Sequence, residues 1–291
     1  MFLGSGCEAD TVGAKVGTTV DSDSNDNTGG DSGEDTGEGT DNDSGGDSIG
    51  KNNDNDTDGL YSCTPGQPLE LPVTVRDFKK TGDNTDFQSG VTSVGLELGV
   101  VKEQLGDDNK PVFDVQPNIY YSSFGGAENF TQWYNTDPDG VYNVEVAKTI
   151  SLIDEGNSWV FDSTYFFPLG LDEGLGADDG DVTGWNDDET LRDQPQNFRF
   201  TTEFHMEFTY EAGQVFNFRG DDDVWVFING LRVIDLGGIH GPEAAEVELD
   251  TLGLTEGEVY PMDIFHAERN PAGSNFRIET NISCFTPVAI D

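Results

Sequence analysis

The chain has little positive charge. Its 291 residues include 14 Lys and Arg against 57 Asp and Glu, so the formal net charge at pH 7 is −43. Nucleic-acid binding depends on basic side chains that neutralise phosphate groups, and this composition therefore excludes a nucleic-acid partner.

The signatures of several enzyme classes are missing as well. The sequence contains no Gly-x-Ser-x-Gly nucleophile motif, no phosphate-binding loop and no zinc-protease helix. His266 and Glu268 would share a strand face, but no cysteine or third histidine accompanies them, so a structural histidine is the better interpretation. His205 is predicted to face solvent. We therefore expect a protein that is not an enzyme. A glycan-active enzyme stays open as a third alternative, because paired carboxylates can be far apart in sequence.

Cysteine is scarce, with three residues in the whole chain. Cys63 and Cys284 bracket the part of the sequence that is rich in apolar residues, and their polar flanks do not resemble a core. We predict a disulfide between them, which suits an oxidising compartment; two unpaired thiols are the alternative. Closing so long a loop would stabilise the fold by up to about 5 kcal/mol in the chain-entropy model.

Large apolar residues are scarce at the N-terminus. Within Met1–Gly6 only Phe2 and Leu3 are of this kind, too few for a signal peptide or a membrane span. The run that ends at Cys7 resembles the processing site of a bacterial lipoprotein, although Gly4 stands where an aliphatic residue is usual. On this interpretation Cys7 is lipidated and the true start lies upstream. An incidental free cysteine is the equally weighted alternative.

Composition divides the chain into segments. Residues 1–7 form the lipobox-like segment, and residues 8–59 carry 15 acidic and 2 basic side chains among Gly, Ser, Thr and Asn. Such a segment buries too little apolar surface to offset its ordering entropy, so we predict a disordered acidic linker. Residues 60–291 hold nearly all the aromatic residues and are long enough for one β domain.

Alternating hydrophobicity dominates residues 60–291. Between Asn197 and Tyr210 the apolar residues fall on every second position, the period of a strand with one buried face. The same pattern predicts strands near 216–218, 224–228, 260–264 and 276–282, and earlier ones at Leu71–Phe78, Val141–Ile153 and Ser158–Phe167. Only Ala127–Tyr134 and Val94–Leu105 suit short helices. We predict an all-β fold, an antiparallel β-sandwich of jelly-roll-like type with long loops.

Three consecutive carboxylates stand out in the run Gly220–Gly230, GDDDVWVFING. Asp221, Asp222 and Asp223 precede an apolar strand that ends in an Asn-Gly turn, and they repel one another at pH 7. No basic residue is closer along the chain than positions 219 and 232. A bound Ca²⁺ ion explains the cluster, since oxygen ligands are those it prefers; a solvated acidic turn is the alternative.

This run continues into LRVIDLGGIHG and, further on, LDTLGLTEGEVYPMDIFHAERNPAGSNFRIET, and together they resemble the fibro-slime domain. That domain is a branch of the β-sandwich superfamily that includes the anthrax protective-antigen module and the sugar-binding domains of yeast flocculins and epithelial adhesins. Shorter matches in the expected order extend the resemblance over roughly residues 70–284: Arg76-Asp77-Phe78, Lys110-Pro111-Val112, Asn129–Tyr134 and Phe166–Leu169.

The resemblance implies a calcium site. In the sugar-binding members of that superfamily, two adjacent aspartates joined by a cis peptide hold a Ca²⁺ ion that coordinates sugar hydroxyls. This places the pair on Asp221 and Asp222 and a further ligand in the loop His266–Asn275, where Asn275 is the preferred candidate. Additional ligand or sugar contacts are implied for Asp223, Glu268 and Asn270.

Aromatic residues are candidates for stacking on a sugar ring. Trp225, beside the acidic cluster, is expected in the core between the sheets, with a position flanking the site as the alternative. Trp133-Tyr134 and Trp185 are better candidates for an exposed platform. Trp185 lies in the acidic loop 172–193, which is predicted to be solvated; a second Ca²⁺ site there is the alternative.

These features predict a secreted or surface-tethered, Ca²⁺-dependent carbohydrate-binding or adhesion module on an acidic stalk. The expected partner is a polysaccharide or glycan, with cellulose-like polymers among the candidates, and the membrane is reached only through a lipid at Cys7. The expected location is extracellular or on the cell surface, with a bacterial outer-membrane lipoprotein as one form. The main alternative is a structural protein of extracellular matrix or slime that binds other proteins.

Overall fold

A computed structural model describes residues 67–79, 84–88, 93–175, 182–184, 195–270 and 273–288, and the structural statements below concern these residues. The predictions for the linker 8–59, for Cys7 and Cys63, and for Trp185 lie outside them. The acidic loop 172–193 is described only in part.

Strands dominate the described chain, and the all-β prediction is confirmed. Its one α-helix within these ranges is α1 (Ala127–Thr131), and no helix there is long and apolar enough to cross a membrane. The strands are β1 (Leu69–Phe78), β2 (Asn143–Asp154), β3 (Trp159–Ser163), β4 (Val182–Gly184), β5 (Pro195–Asn197), β6 (Phe200–Thr209), β7 (Val215–Gly220), β8 (Asp223–Ile228), β9 (Leu231–Leu236), β10 (Glu243–Glu248), β11 (Val259–Glu268), β12 (Phe276–Thr280) and β13 (Thr286–Pro287).

The strands form two antiparallel layers that share one long strand. The first layer has the order β2-β1-β6-β11-β8-β9, and β13 pairs with the second half of β6. The second layer has the order β3-β12-β7-β10. Strand β2 pairs with β1 along most of its length, while its last residues, Ile153 and Asp154, pair with β3. The β4 and β5 strands form a separate pair.

The core between the layers is built from alternating strand positions. Phe204, Met206 and Phe208 of β6 are buried on the inner face, as the period of two predicts. The Phe204 ring lies 5.8 Å from that of Phe276 in the second layer, and Phe218 lies 5.0 Å from Phe276. Full burial of a side chain of this size contributes about 1.5–3 kcal/mol. The aromatic row therefore fixes which face of the first layer meets the second.

A second apolar cluster lies on the opposite face of the first layer. Its strand residues include Trp225 and Phe227 of β8 and Phe265 of β11, which alternate with the inward-facing residues of these strands. They are packed against residues 84–88 and 93–134, which we call the covering segment. Within it the rings of Phe124 and Trp133 stack at 5.4 Å. Strand β8 and the second half of β11 are thus buried on both faces.

The covering segment is mostly irregular. The helix predicted at Val94–Leu105 is wrong: Val94 and Glu97 donate backbone hydrogen bonds to the carbonyls of Ile239 (2.9 Å) and Gly237 (2.6 Å). This stretch therefore runs extended beside the loop that follows β9. The helix predicted at Ala127–Tyr134 is present but ends at Thr131.

The two edges of the sandwich differ. Beside β9, Arg232 donates its backbone N–H to the Glu103 carbonyl (2.8 Å) and Leu105 donates to that of Gly230 (3.2 Å), so the covering segment occupies this edge. The β10 edge instead carries exposed glutamates at positions 243, 246 and 248.

Candidate functional site

The acidic cluster lies where the chain crosses between the layers. Strand β7 of the second layer ends at Gly220 and β8 of the first begins at Asp223, so Asp221 and Asp222 form the crossing. The peptide bond between them is cis, as the resemblance implies. Gly220 cannot be replaced without displacement, because a Cβ there would lie 2.7 Å from the Asn275 carbonyl oxygen.

Asp221 is tied to the segment that leads into β12. Its carboxyl group accepts hydrogen bonds from the backbone N–H of Asn275 and from the Asn275 side-chain amide, the latter at 2.8 Å. Burial raises the pKa of Asp221, although the bonds from Asn275 oppose this. Sequence reasoning paired these two residues as ligands, and the fold places them in direct contact.

Asp222 is more deeply enclosed. Its Oδ2 accepts the backbone N–H of Arg269 at 3.0 Å, and the side chain is buried. Burial raises the pKa of Asp222 well above its usual range, and the neighbouring charge of Asp223 adds to this. The carboxyl group therefore lacks sufficient compensation for a negative charge.

Asp223 has a different role from the other two. Its Oδ2 accepts from Arg269 Nε at 2.7 Å and its Oδ1 accepts from the backbone N–H of Gly238 at 2.6 Å. Neither Asp223 nor Arg269 exposes its side chain. The carboxylate is thus engaged by protein donors and is absent from the walls of the cleft described below.

Glu268, the last residue of β11, is a second buried carboxyl group beside Asp222. It is 1% exposed, and its Oε2 has no hydrogen-bond partner. Burial raises the pKa of Glu268 well above its usual range, and the charges of Asp222 and Asp221 raise it further. An acceptor oxygen left unpaired in the interior costs about 1–3 kcal/mol, so this group calls for an explanation.

An open cleft of about 350 Å³ lies over the cluster. Asp221, Asp222, Asn270 and Asn275 line it, together with Thr164 and His240. No aromatic side chain other than that of His240 contributes to its described walls. The three metal ligands predicted from the sequence, Asp221, Asp222 and Asn275, therefore line one cavity together with Asn270.

The oxygen atoms of the cleft suit a hard cation. Ca²⁺ sites combine carboxylates with amide and backbone carbonyls and with water, and Asp221, Asp222, Asn270 and Asn275 supply the first two kinds. Within the described ranges no group of three or more His, Cys, Asp and Glu side chains is arranged to enclose a metal. Oxygen atoms from water or from a ligand would have to complete the shell of a cation held by these residues.

His266 does not contribute to such a site. Its Nε2 lies 3.0 Å from the Asp221 carbonyl oxygen and its Nδ1 lies 3.1 Å from Thr202 Oγ1. Burial lowers the pKa of His266 to about 4, so the ring is neutral at pH 7. It is the structural histidine that the sequence predicts.

Arg269 is the site residue that sequence reasoning missed. Along the chain it is 46 positions from Asp223, but β11 pairs with β8 so that Ala267 lies opposite Asp223. Arg269 then follows the end of β11 and reaches the carboxylate. The charged loop HAERN contained the signal, because a basic residue after the strand next to the acidic cluster is a candidate partner for it.

The aromatic candidates are placed differently from the prediction. Trp133 and Tyr134 are buried in the second apolar cluster, so the expectation of an exposed platform there is wrong. Trp225 is buried as expected, but on the outer face of the first layer and not between the layers; its Nε1 donates to Asp235 at 3.1 Å.

His205 is also not solvent-facing, contrary to the prediction. Its side chain is 8% exposed, and its ring nitrogens lie 2.7 Å from Glu203 Oε1 and 2.7 Å from Asp263 Oδ1. Arg76 is bonded to the other oxygen of Glu203. The outer face of β6 therefore carries a largely buried network of charged groups that links Arg76, Glu203, His205 and Asp263.

The chain is similar to a known domain family and to several known proteins. Residues 173–286, which contain the aspartate pair and the loop before β12, match the family model of the PA14 domain. Protein psiR of Dictyostelium discoideum is 40% identical over 210 residues, which are 70% of this chain and 20% of psiR. Protein psiB of the same organism is 44% identical over 246 residues, 78% of this chain and 42% of psiB. The chain thus spans less than half the length of these relatives.

Among solved structures, the PA14 sugar-binding domain from an RTX adhesin is similar at 14% identity and a TM-score of 0.24, covering 46% of this chain and 77% of that one. The fold and the cleft together define an antiparallel β-sandwich with an oxygen-lined site at its interlayer crossing. The match to the PA14 domain covers Asp221, Asp222, Asn270 and Asn275 of this site.

Proposed function

We propose that this chain carries a Ca²⁺-dependent carbohydrate-binding domain of a surface or secreted adhesion protein, of the fibro-slime type. The observation that carries the proposal is the proximity of two buried carboxyl groups, because the charge of Asp222 raises the pKa of Glu268. Both carboxyl groups are buried, Glu268 Oε2 has no partner, and Asp222 lines an open cleft.

The local charges support a cation. The carboxyl groups of Asp221, Asp222, Asp223 and Glu268 lie together, and the guanidinium of Arg269 is bonded to Asp223 alone among them. At Asp222 burial and the neighbouring carboxylates outweigh the opposing charge of Arg269, and buried carboxyl groups of this kind hold protons or bind a cation. At neutral pH and extracellular calcium concentrations, binding of Ca²⁺ is the alternative that also uses the cleft.

Carbohydrate is the ligand that suits such an ion. A bound Ca²⁺ supplies coordination positions for two neighbouring sugar hydroxyls, as the resemblance to flocculin-type domains implies. Asn275, Asn270 and Thr164 are among the polar residues of the cleft, and they would bond the remaining hydroxyls. The lack of a stacking aromatic ring in the described walls favours the edge or end of a glycan over the flat face of a cellulose-like polymer.

The test compares calcium and glycan binding by wild type and Asp222→Asn. Asp139→Asn is the control, because Asp139 is an exposed acidic residue in the loop between the covering segment and β2. Calorimetry should give a dissociation constant of about 10⁻³ M or tighter for Ca²⁺ in wild type and the control, and glycan-array binding that chelator abolishes. Asp222→Asn should lose both. Equal Ca²⁺ uptake by Asp222→Asn contradicts the site, and glycan binding that survives chelator contradicts the mechanism.

A structural matrix protein is the second candidate, because the covering segment exposes apolar side chains. Tyr120 is 86% exposed and Leu98 58%, and they flank the bond from the Tyr121 hydroxyl to the Gly99 carbonyl (2.6 Å). Exposed apolar side chains that form a patch are typical of protein contacts. Chelator-independent self-association, lost in Tyr120→Ser, would favour this function.

The remaining parts of the proposal concern how the domain is held. We propose that Cys284 forms a disulfide with Cys63. We also propose that residues 8–59 act as a stalk and that Cys7 is the lipidated residue. Peptide mapping of the non-reduced protein tests the Cys63–Cys284 disulfide. The intact mass of the protein from its native membrane tests the lipidation of Cys7.

A further inference from the structure

We infer that Arg269 is a positioning residue of the cation site, which holds Asp222 ready for the ion although it does not line the cleft. This inference rests on the proposed function. The residue acts in two ways, through its guanidinium group and through its backbone N–H, and each has a distinct partner.

The guanidinium group is fixed on all sides. Its carbon lies 4.6 Å from the ring centre of Phe124 and 4.7 Å from that of Trp133. Nε donates to Asp223 at 2.7 Å, and one terminal nitrogen donates to the Ser123 carbonyl at 2.6 Å. Stacking and a directional fork are properties of arginine that lysine does not share.

The backbone of the same residue orients the proposed ligand. Arg269 donates its N–H to Asp222 Oδ2 at 3.0 Å, so one residue bonds both Asp222 and Asp223. Moreover, pairing with Asp223 removes one negative charge from the immediate surroundings of Asp222. Without that compensation Asp222, Asp223 and Glu268 would all compete for the one ion.

Through Arg269, the second apolar cluster is expected to affect cation binding in the cleft, although it does not line the cleft. Phe124 and Trp133 belong to the covering segment, whereas Asp222 belongs to the crossing between layers. Arg269 bonds or packs against both. Residues that hold metal ligands in place typically change metal affinity 10–100-fold when they are replaced.

The test compares calcium affinity in Arg269→Lys, Phe124→Leu and Phe285→Leu. Phe285 is buried in the core between the layers, so Phe285→Leu matches Phe124→Leu in chemistry and burial but does not touch Arg269. We expect Arg269→Lys to weaken Ca²⁺ binding at least tenfold, Phe124→Leu to weaken it several-fold, and Phe285→Leu to leave it within twofold of wild type. Circular dichroism confirms that each variant is folded under the conditions of calorimetry.

The outcomes separate the inference from the proposed function. If wild type itself binds no Ca²⁺, the proposed function fails and the inference with it. If wild type binds but Arg269→Lys and Phe124→Leu bind equally well, only the inference is overturned, and the same holds if Phe285→Leu is weakened as much as Phe124→Leu. If Arg269→Lys does not fold, the comparison of the two Phe→Leu variants decides.

Discussion

Asp223 and Arg269 form an ion pair that solvent does not reach: Nε lies 2.7 Å from Oδ2, and neither side chain is exposed. The pair joins the start of β8 to the residue after β11, and the guanidinium group also reaches Ser123 of the covering segment. Removing one partner leaves the other charge buried without compensation.

We therefore predict that Asp223→Asn destabilises the domain by about 3–5 kcal/mol, the cost typical of breaking a buried ion pair. Asp162→Asn is the comparison, because Asp162 pairs with Arg277 but is 47% exposed. Exposed pairs contribute about 1 kcal/mol or less. Urea unfolding of both variants measures the difference. Similar decreases in the free energy of unfolding would mean that the buried ion pair contributes no more than the exposed one.

The second prediction is that Ca²⁺ reverses the order of stability of wild type and Asp222→Asn. The raised pKa of Asp222 means that its contribution to stability is present below about pH 3.9, the unfolded value, and is lost as pH rises through the folded pKa. At pH 7 in chelator, Asp222→Asn should therefore be more stable than wild type, by about 1 kcal/mol or more.

In Ca²⁺ at a hundred times its dissociation constant, the order should reverse. Wild type should gain about 2.7 kcal/mol from binding, and Asp222→Asn should gain almost nothing. Thermal unfolding with chelator and with Ca²⁺ gives both comparisons, with Asp139→Asn expected to follow wild type in each. A variant that is less stable than wild type in both conditions would contradict the interpretation of Asp222 as an uncompensated carboxyl group.

The third prediction concerns pH and His205. Burial opposes the charged ring, but hydrogen bonds to Asp263 and Glu203 prevail and raise the pKa of His205 above 6.5. Its stabilising contribution is therefore fully present below about pH 6.5 and is lost as pH rises through the folded pKa. His205→Gln should cost about 1.5–3 kcal/mol at pH 6, the range of hydrogen bonds to charged groups, and less at pH 9.

Unfolding free energies of wild type and His205→Gln across pH 6 to 9 test this expectation. His266 does not interfere, because its pKa of about 4 keeps it neutral throughout. A difference between the two proteins that grows with pH would show that the ring is not positively charged between its two carboxylates.

A fourth prediction separates buried from exposed aromatic residues. Trp133→Ala should destabilise by about 3–5 kcal/mol, because the ring is fully buried against Phe124 and Phe130. Tyr120→Ala should change stability by less than about 0.5 kcal/mol, because that side chain is largely exposed. Chemical unfolding followed by circular dichroism checks both. A stable Trp133→Ala variant would contradict the packing of the covering segment.

Much of the sandwich could be predicted from the sequence, because a strand with one buried face has apolar residues at every second position. The apolar residues between Phe200 and Phe208 alternate, and β6 was predicted nearly to its ends. The aspartate pair and Asn275 could also be placed, since adjacent carboxylates before an apolar strand are unusual and the resemblance covers them.

The covering segment could not be predicted, for a physical reason. It buries Phe124, Phe130 and Trp133 from loops and one short helix, so its apolar residues follow no period of two or 3.6. Trp133 therefore looked like a candidate for an exposed surface. The partner of Asp223 was hidden likewise, because strand pairing across 46 residues, and not proximity along the chain, brings Arg269 to it.

The unlike edges of the sandwich bear on how copies behave when they are crowded. An open strand edge is a template on which a neighbouring chain can add a strand. Here one edge is occupied by the covering segment, and the other presents the glutamates of β10, whose repulsion opposes pairing with an identical edge. Domains packed densely side by side would thus avoid lateral association through their backbones, which leaves contacts to the cleft and to side chains.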